Sequence, residues 1–166
     1  MTLFYHGTDV DSAIGIARDG AILSPWDETI LRYRGLRIAQ TMSYRELQKL
    51  ALEDASRLYS EHELEHRVKS ISLDTRFYIA KGYALGYKEE HFHGGVVLGF
   101  EIDEDFLKRI CLISYSGHIL GAYIPRRLKL DTLKEVHLTP KAKDYKEQIA
   151  KEFEVYDPDF FYLYRL

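Results

Sequence analysis

The sequence predicts an α+β fold. Three observations carry that prediction. The first is a set of short strand-like runs, "TLFYH" at the start, "GGVVLGFEID" in the middle, and "CLIS", "AYIP", "EVHL" and "FFYLYRL" towards the end. The second is a set of stretches with helical spacing, lying between and beside those runs. The third is their order, which runs strand, helix, a helical segment, and then mostly strand. A doubly wound parallel sheet needs repeated strand–helix–strand units, and few are present.

The first strand reads Thr2-Leu3-Phe4-Tyr5-His6 and stops at Gly7-Thr8. Asp9 or Asp11 is placed to cap a short helix through "SAIGIARD", with Ala13, Ile16 and Ala17 on one face and Gly20 as its stop. "AILSP" is extended. Residues 26–40 carry no clear period. From Thr41, an apolar stripe of Met42, Leu47, Leu50, Ala51, Ala55 and Leu58 predicts a helix reaching the early 60s. "KSISLD" reads as a strand or loop. "TRFYIAKGYALGY" predicts a helix with Phe77, Ala80 and Ala84 on one side. "GGVVLGFEID" is almost continuously apolar, as a central strand is. "KAKDYKEQIAKEF" is an amphipathic helix before the last strand.

With 166 residues, no repeat and no linker-like tract, the chain reads as one domain, residues 1–166, with 26–69 as a helical insert. Its 46% hydrophobic and 30% charged content excludes a disordered chain. A net charge of −3 supplies no global basic field for nucleic acid, although a local patch is compatible with it. One cysteine excludes an internal disulfide. No apolar run is long enough for a bilayer, and the first residues lack a basic-then-apolar leader, so a cytoplasmic protein without membrane partners is the expectation.

Three segments carry the chemistry. "YHGT" leads into a short helix ending in Asp19-Gly20. "SLDTRFYIAKGYALGY" is followed closely by "HGGVVLGFEID". "LKEVHL" opens a strand with a glutamate. In this order they resemble the ADP-ribosyltransferase fold, in the His-Tyr-Glu branch of diphtheria-type toxins and poly(ADP-ribose) polymerases. The resemblance covers residues 3–24 and 70–102 well and 120–138 loosely. It implies a split β-sandwich with flanking helices, with NAD as cosubstrate in a glycosyl-transfer reaction.

By that resemblance, His6 matches the histidine that hydrogen-bonds a ribose hydroxyl of NAD. Gly7 matches the glycine whose backbone holds the nicotinamide carboxamide, and a missing Cβ suits close approach of a ligand. Thr8 follows as a helix-side hydroxyl. Tyr83 matches the aromatic that packs on the nicotinamide ring, with Tyr78 flanking the other side. Glu135 is the candidate catalytic glutamate, with Glu101 and Glu154 as rivals. A fixed carboxylate stabilises the positive charge that grows on the ribose as the nicotinamide leaves. Arg126, Arg127 and Lys129, in the stretch before Glu135, are candidates for recognising the acceptor. Leu133 stands where arginine-modifying branches carry a second acid, which argues against an arginine acceptor. Protein, nucleic acid, small molecule and water all remain open as acceptors.

Other readings stand beside this one. The same fold without catalysis is an NAD- or ADP-ribose-binding or interaction module. An RNA 2′-phosphotransferase needs Arg-His pairs near "YHGT", and none is seen. His62-Glu63-Leu64-Glu65-His66 matches HExxH, a zinc-protease pattern, with His91 and His93 as possible extra ligands. Its surroundings, "YSEHELEHRVK", are charged, whereas such a helix is usually buried and apolar. No metal is therefore assigned.

Overall fold

The computed structural model describes residues 2–34, 70–87 and 89–163, together with isolated positions between 42 and 53. The α+β expectation holds. The described elements are β1 (Thr2–Asp9), α1 (Val10–Asp19), β2 (Ala21–Leu23), α2 (Pro25–Arg34), β3 (Ser70–Asp74), α3 (Phe77–Leu85), β4 (Gly95–Ile102), α4 (Glu104–Leu107), β5 (Cys111–Tyr115), β6 (His118–Pro125), β7 (Arg127–Lys129), β8 (Leu133–Leu138), α5 (Lys146–Phe153) and β9 (Phe160–Leu163). A 3₁₀ segment, Pro140–Tyr145, begins the helical stretch that the sequence predicts as one amphipathic helix.

Seven strands form one sheet in the order β5-β6-β3-β1-β4-β8-β9, and β2 pairs with β7 in a second, two-stranded sheet. All neighbours in the large sheet run antiparallel except β8 and β9. The tight turn between β5 and β6 places Ser116 and Gly117 at φ 49° and 78°. Two successive positive values are what a two-residue type I′ hairpin demands.

Local chemistry explains the helix boundaries. The Asp9 carboxylate accepts from the Ser12 backbone N–H at 2.8 Å, and Gly20 ends α1 in the left-handed conformation. Residues 26–34, for which periodicity is mute, are helical because of their start. Ser24 accepts from the Asp27 N–H and donates to its carboxylate at 2.7 Å, and Pro25 takes the first helical position. Ser43 and Glu46 make a similar reciprocal cap where the sequence predicts the next helix. The remainder of that helix, and the whole of His62–His66, lie outside the described residues.

One face of the sheet builds the main core. Phe4, Leu98, Phe100, Val136 and Leu138 pack against Val10, Ala13 and Ala17 of α1 and Ile149 and Phe153 of α5. Each such side chain contributes roughly 1.5–3 kcal/mol by leaving water. On the opposite face lies α3. Its Ala80 and Ala84 pack with Val97, Tyr5 and Phe77 in a separate small cluster. This contact is backbone to backbone. A Cβ on Gly7 would collide with the Ala80 carbonyl, and a Cβ on Gly95 with that of Ala84. No helix among the described residues is long and apolar enough to cross a membrane.

Gly7→Ala should therefore destabilise the fold by about 3 kcal/mol, because neither backbone can yield cheaply. Gly15→Ala, in α1, meets nothing within 4 Å and should leave stability unchanged or raise it slightly. Urea unfolding of the two variants checks the contrast. Equal destabilisation would refute the close-packing account of Gly7.

Candidate functional site

β1 pairs with β4 along its whole length, from Thr2 opposite Ile102 to Asp9 opposite Gly95. It pairs with β3 at one position only, Tyr5 opposite Asp74. Beyond Tyr5 the two strands no longer pair, and among the described residues the β3-facing edge of β1 has no ladder partner from His6 onward. A cleft of about 770 Å³ opens along this split. Its walls come mainly from β1, β3, α1, β2 and α3, with residues of α2, β5 and β6.

His6, Gly7, Thr8 and Tyr83 all line the cleft. His6 reaches across the split, and its Nδ1 lies 3.2 Å from the Ser72 carbonyl oxygen. A carbonyl only accepts, so Nδ1 carries the proton, and the neutral ring keeps Nε2 as an acceptor. Burial pushes the His6 pKa down, and the Ser72 bond opposes this only in part. His6 is thus held neutral near pH 7, in the form suited to accept from a hydroxyl.

Gly7 has a packing reason beside the one its place in the motif suggests. The space a Cβ would fill belongs to the Ala80 carbonyl of α3. Tyr83 is 51% exposed, its ring edge-on to that of Tyr87 at 5.0 Å. The Tyr83 carbonyl accepts from His91 Nε2 at 2.9 Å, which ties the loop after α3 back to the helix. His93, the other histidine of that loop, contacts the Asp11 carboxylate at 3.0 Å.

The remaining sequence-predicted residues are not brought to the cleft lining. Glu135 lies on β8, two strands from the open edge of β1, with β4 between them. Its carboxylate accepts from His137 Nε2 at 2.7 Å, and the two side chains are only 15% and 3% exposed. The rings of Tyr5 and Phe77 pack on His137, with centroids at 6.4 and 4.8 Å. Burial lowers the His137 pKa, opposed by Glu135. Tyr78 is 64% exposed, beside the Arg76 guanidinium. Arg126 adopts φ 64° at the corner between β6 and β7 and pairs with Asp27 at 3.1 Å. Arg127 and Lys129 are exposed on β7 opposite Leu23 and Ala21.

Sequence reasoning missed Ser72, Asp74 and Arg76, which line the cleft. The signal for the last two was "LDTR" at a strand–helix junction, where an acid two residues before an arginine can hold both its backbone and its fork. It also missed His137, which alternation puts on the same face of β8 as Glu135.

No family model matches the chain, and no curated protein sequence matches it. The solved structures give a likeness. DarT of Thermus sp. 2.9, in complex with ADP-ribosylated ssDNA, matches with a TM-score of 0.53 at 11% identity, over 99% of this chain and 94% of that one. The fold is a DarT-like ADP-ribosyltransferase fold. At this identity the likeness concerns the path of the backbone, and the roles of individual side chains rest on the cleft itself.

The lowered pKa values of His6 and His137 have a measurable consequence. A histidine whose folded pKa lies below 6.5 binds its proton more readily in the unfolded chain. Its stabilisation is complete above the unfolded value and is lost as pH falls from there through the folded value. Unfolding free energy should therefore decline between pH 7 and pH 5, and less steeply in His6→Gln. An identical slope in that variant would show that His6 titrates freely in the folded state.

Proposed function

We propose that the cleft binds NAD and that the chain is a mono-ADP-ribosyltransferase-like protein. The observation that carries this reading is the split between β1 and β3, with His6 and Gly7 at the open edge and Tyr83 on the wall beside it. In this reading His6 Nε2 accepts from a ribose hydroxyl. The backbone of Gly7 meets the carboxamide, Thr8 adds its hydroxyl to the wall, and the Tyr83 ring packs on the nicotinamide. Holding the nucleotide in that way presents the nicotinamide–ribose bond for cleavage.

The bond from the nicotinamide nitrogen to ribose C1′ breaks, and its electron pair leaves with nicotinamide. An acceptor oxygen or nitrogen then bonds to C1′ and releases its proton. Nucleic acid is the acceptor class we favour, supported by the ADP-ribosylated ssDNA held by the structurally similar DarT. The positive charge on C1′ calls for a carboxylate nearby. Asp74 lines the cleft from β3, whereas Glu135 stands on β8, on the sheet face of Tyr5 and outside the cleft lining.

A second reading is supported by that same placement. Asp74 has both oxygens engaged by Arg76. A cleft whose sheet-borne carboxylate is neutralised suits an NAD- or ADP-ribose-binding module as well as an enzyme. Turnover separates the two.

Calorimetry with NAD should show binding, weakened roughly tenfold in Tyr83→Ala through loss of the ring contact and weakened also in His6→Ala. Incubation with NAD and a single-stranded oligonucleotide should release nicotinamide and add mass to the oligonucleotide. Binding without release selects the module reading. Absence of NAD binding refutes both. Glu135→Gln should bind NAD like the wild type, because that carboxylate does not reach the cleft.

A further inference from the structure

We propose that Arg76 is the residue that recognises the diphosphate of the nucleotide in the cleft, an inference that rests on the NAD reading above. Among the described residues lining the cleft, Arg76 is the single lysine or arginine. Four carboxylates line the same space, Asp11, Asp19 and Glu28 from α1 and α2 and Asp74 from β3. A doubly anionic group therefore has one place to sit, at the α3 end of the cleft and away from the acids of α1 and α2.

Arg76 is built for that task. The Asp74 carboxylate accepts from its backbone N–H at 2.8 Å, from Nε at 2.9 Å and from Nη2 at 2.8 Å. The Tyr78 ring lies 5.9 Å from the guanidinium carbon. The fork is thereby held in one orientation before any ligand arrives, and its pKa is raised, first by the Asp74 hydrogen bonds. Fixing it in advance removes an ordering cost that a free arginine would meet on binding. The side chain is nonetheless 38% exposed. Nη1 carries two N–H donors that Asp74 does not take, beside a weaker interaction with Tyr78, and a planar fork is the group best matched to phosphate oxygens.

The spacing agrees with a dinucleotide. Arg76 stands at the extended N-cap position of α3 and Tyr83 lies seven residues on, and both line the cleft. Their separation along the axis is about 10 Å, comparable to the reach of the one ribose that links a nicotinamide ring to the diphosphate. Tyr83 and Arg76 thus mark the two ends of a nicotinamide mononucleotide half.

The test compares ligands with and without the diphosphate. NAD, ADP-ribose and nicotinamide riboside are titrated by calorimetry into wild type, Arg76→Ala and Arg76→Gln, with melting curves to confirm folding. Both variants should weaken NAD and ADP-ribose by at least about tenfold while leaving nicotinamide riboside within about twofold. Equal weakening of all three ligands, or of none, overturns the assignment of Arg76 and leaves the NAD reading standing. In wild type alone, inorganic pyrophosphate should compete with NAD, and a failure to compete overturns the assignment even if neither variant folds. Wild type that binds none of the three ligands overturns the NAD reading and this inference together.

Discussion

The structure depends on one contact, the seating of α3 directly on the backbone of β1 and β4. Gly7 and Gly95 leave room for the carbonyls of Ala80 and Ala84, and at these two points the helix backbone lies directly on the strands. Two small residues on the helix and two glycines on the strands act together. A helix held at that distance cannot drift, so the residues at its ends inherit fixed positions. Arg76 at its start and Tyr83 near its end stand over the cleft because the middle of α3 is locked.

The cleft itself results from a sheet that does not complete its pairing. β1 has a full partner in β4 and a single pair with β3. An open strand edge in a folded protein leaves polar backbone groups available, which ordinarily invites another strand. Here α1, β2 and α3 wall the opening. The His6–Ser72 hydrogen bond spans the gap and sets the tautomer of the ring. Across β4, the Glu135–His137 pair is enclosed by Tyr5 and Phe77. Tyr5 also lines the cleft, so one aromatic ring separates the open pocket from a closed polar pair.

Local signals were legible wherever a residue type has one backbone consequence. The Asp9 cap, the Gly20 stop, the continuous apolar run of β4 and the alanine face of α3 can all be read without a structure. His6, Gly7, Thr8 and Tyr83 were legible as a group because they sit at fixed offsets from those elements. The neighbours of Glu135 were not, because a glutamate at the start of a strand carries no mark of which strand its own will pair with. The Ser24-Pro25-Asp27 start of α2 was present in the sequence but lay in a stretch without hydrophobic period. Asp74 and Arg76 were similarly plain to read, and their joint role is evident only once β3 is seen to border the split.

The sequence by itself determined the α+β class, most element positions and the histidine–glycine corner, since those follow from propensity, period and capping within a few residues. Tertiary structure alone decided the strand order, and with it which acid and which base share a space. It put Asp74 and Arg76 on the cleft and Glu135 beside His137, beyond β4 in the sheet. It also gave Gly7 its reason, as the floor under α3. The physical cause is that strand pairing is a long-range choice, made by burial of whole faces across seven strands, and no local pattern records its outcome.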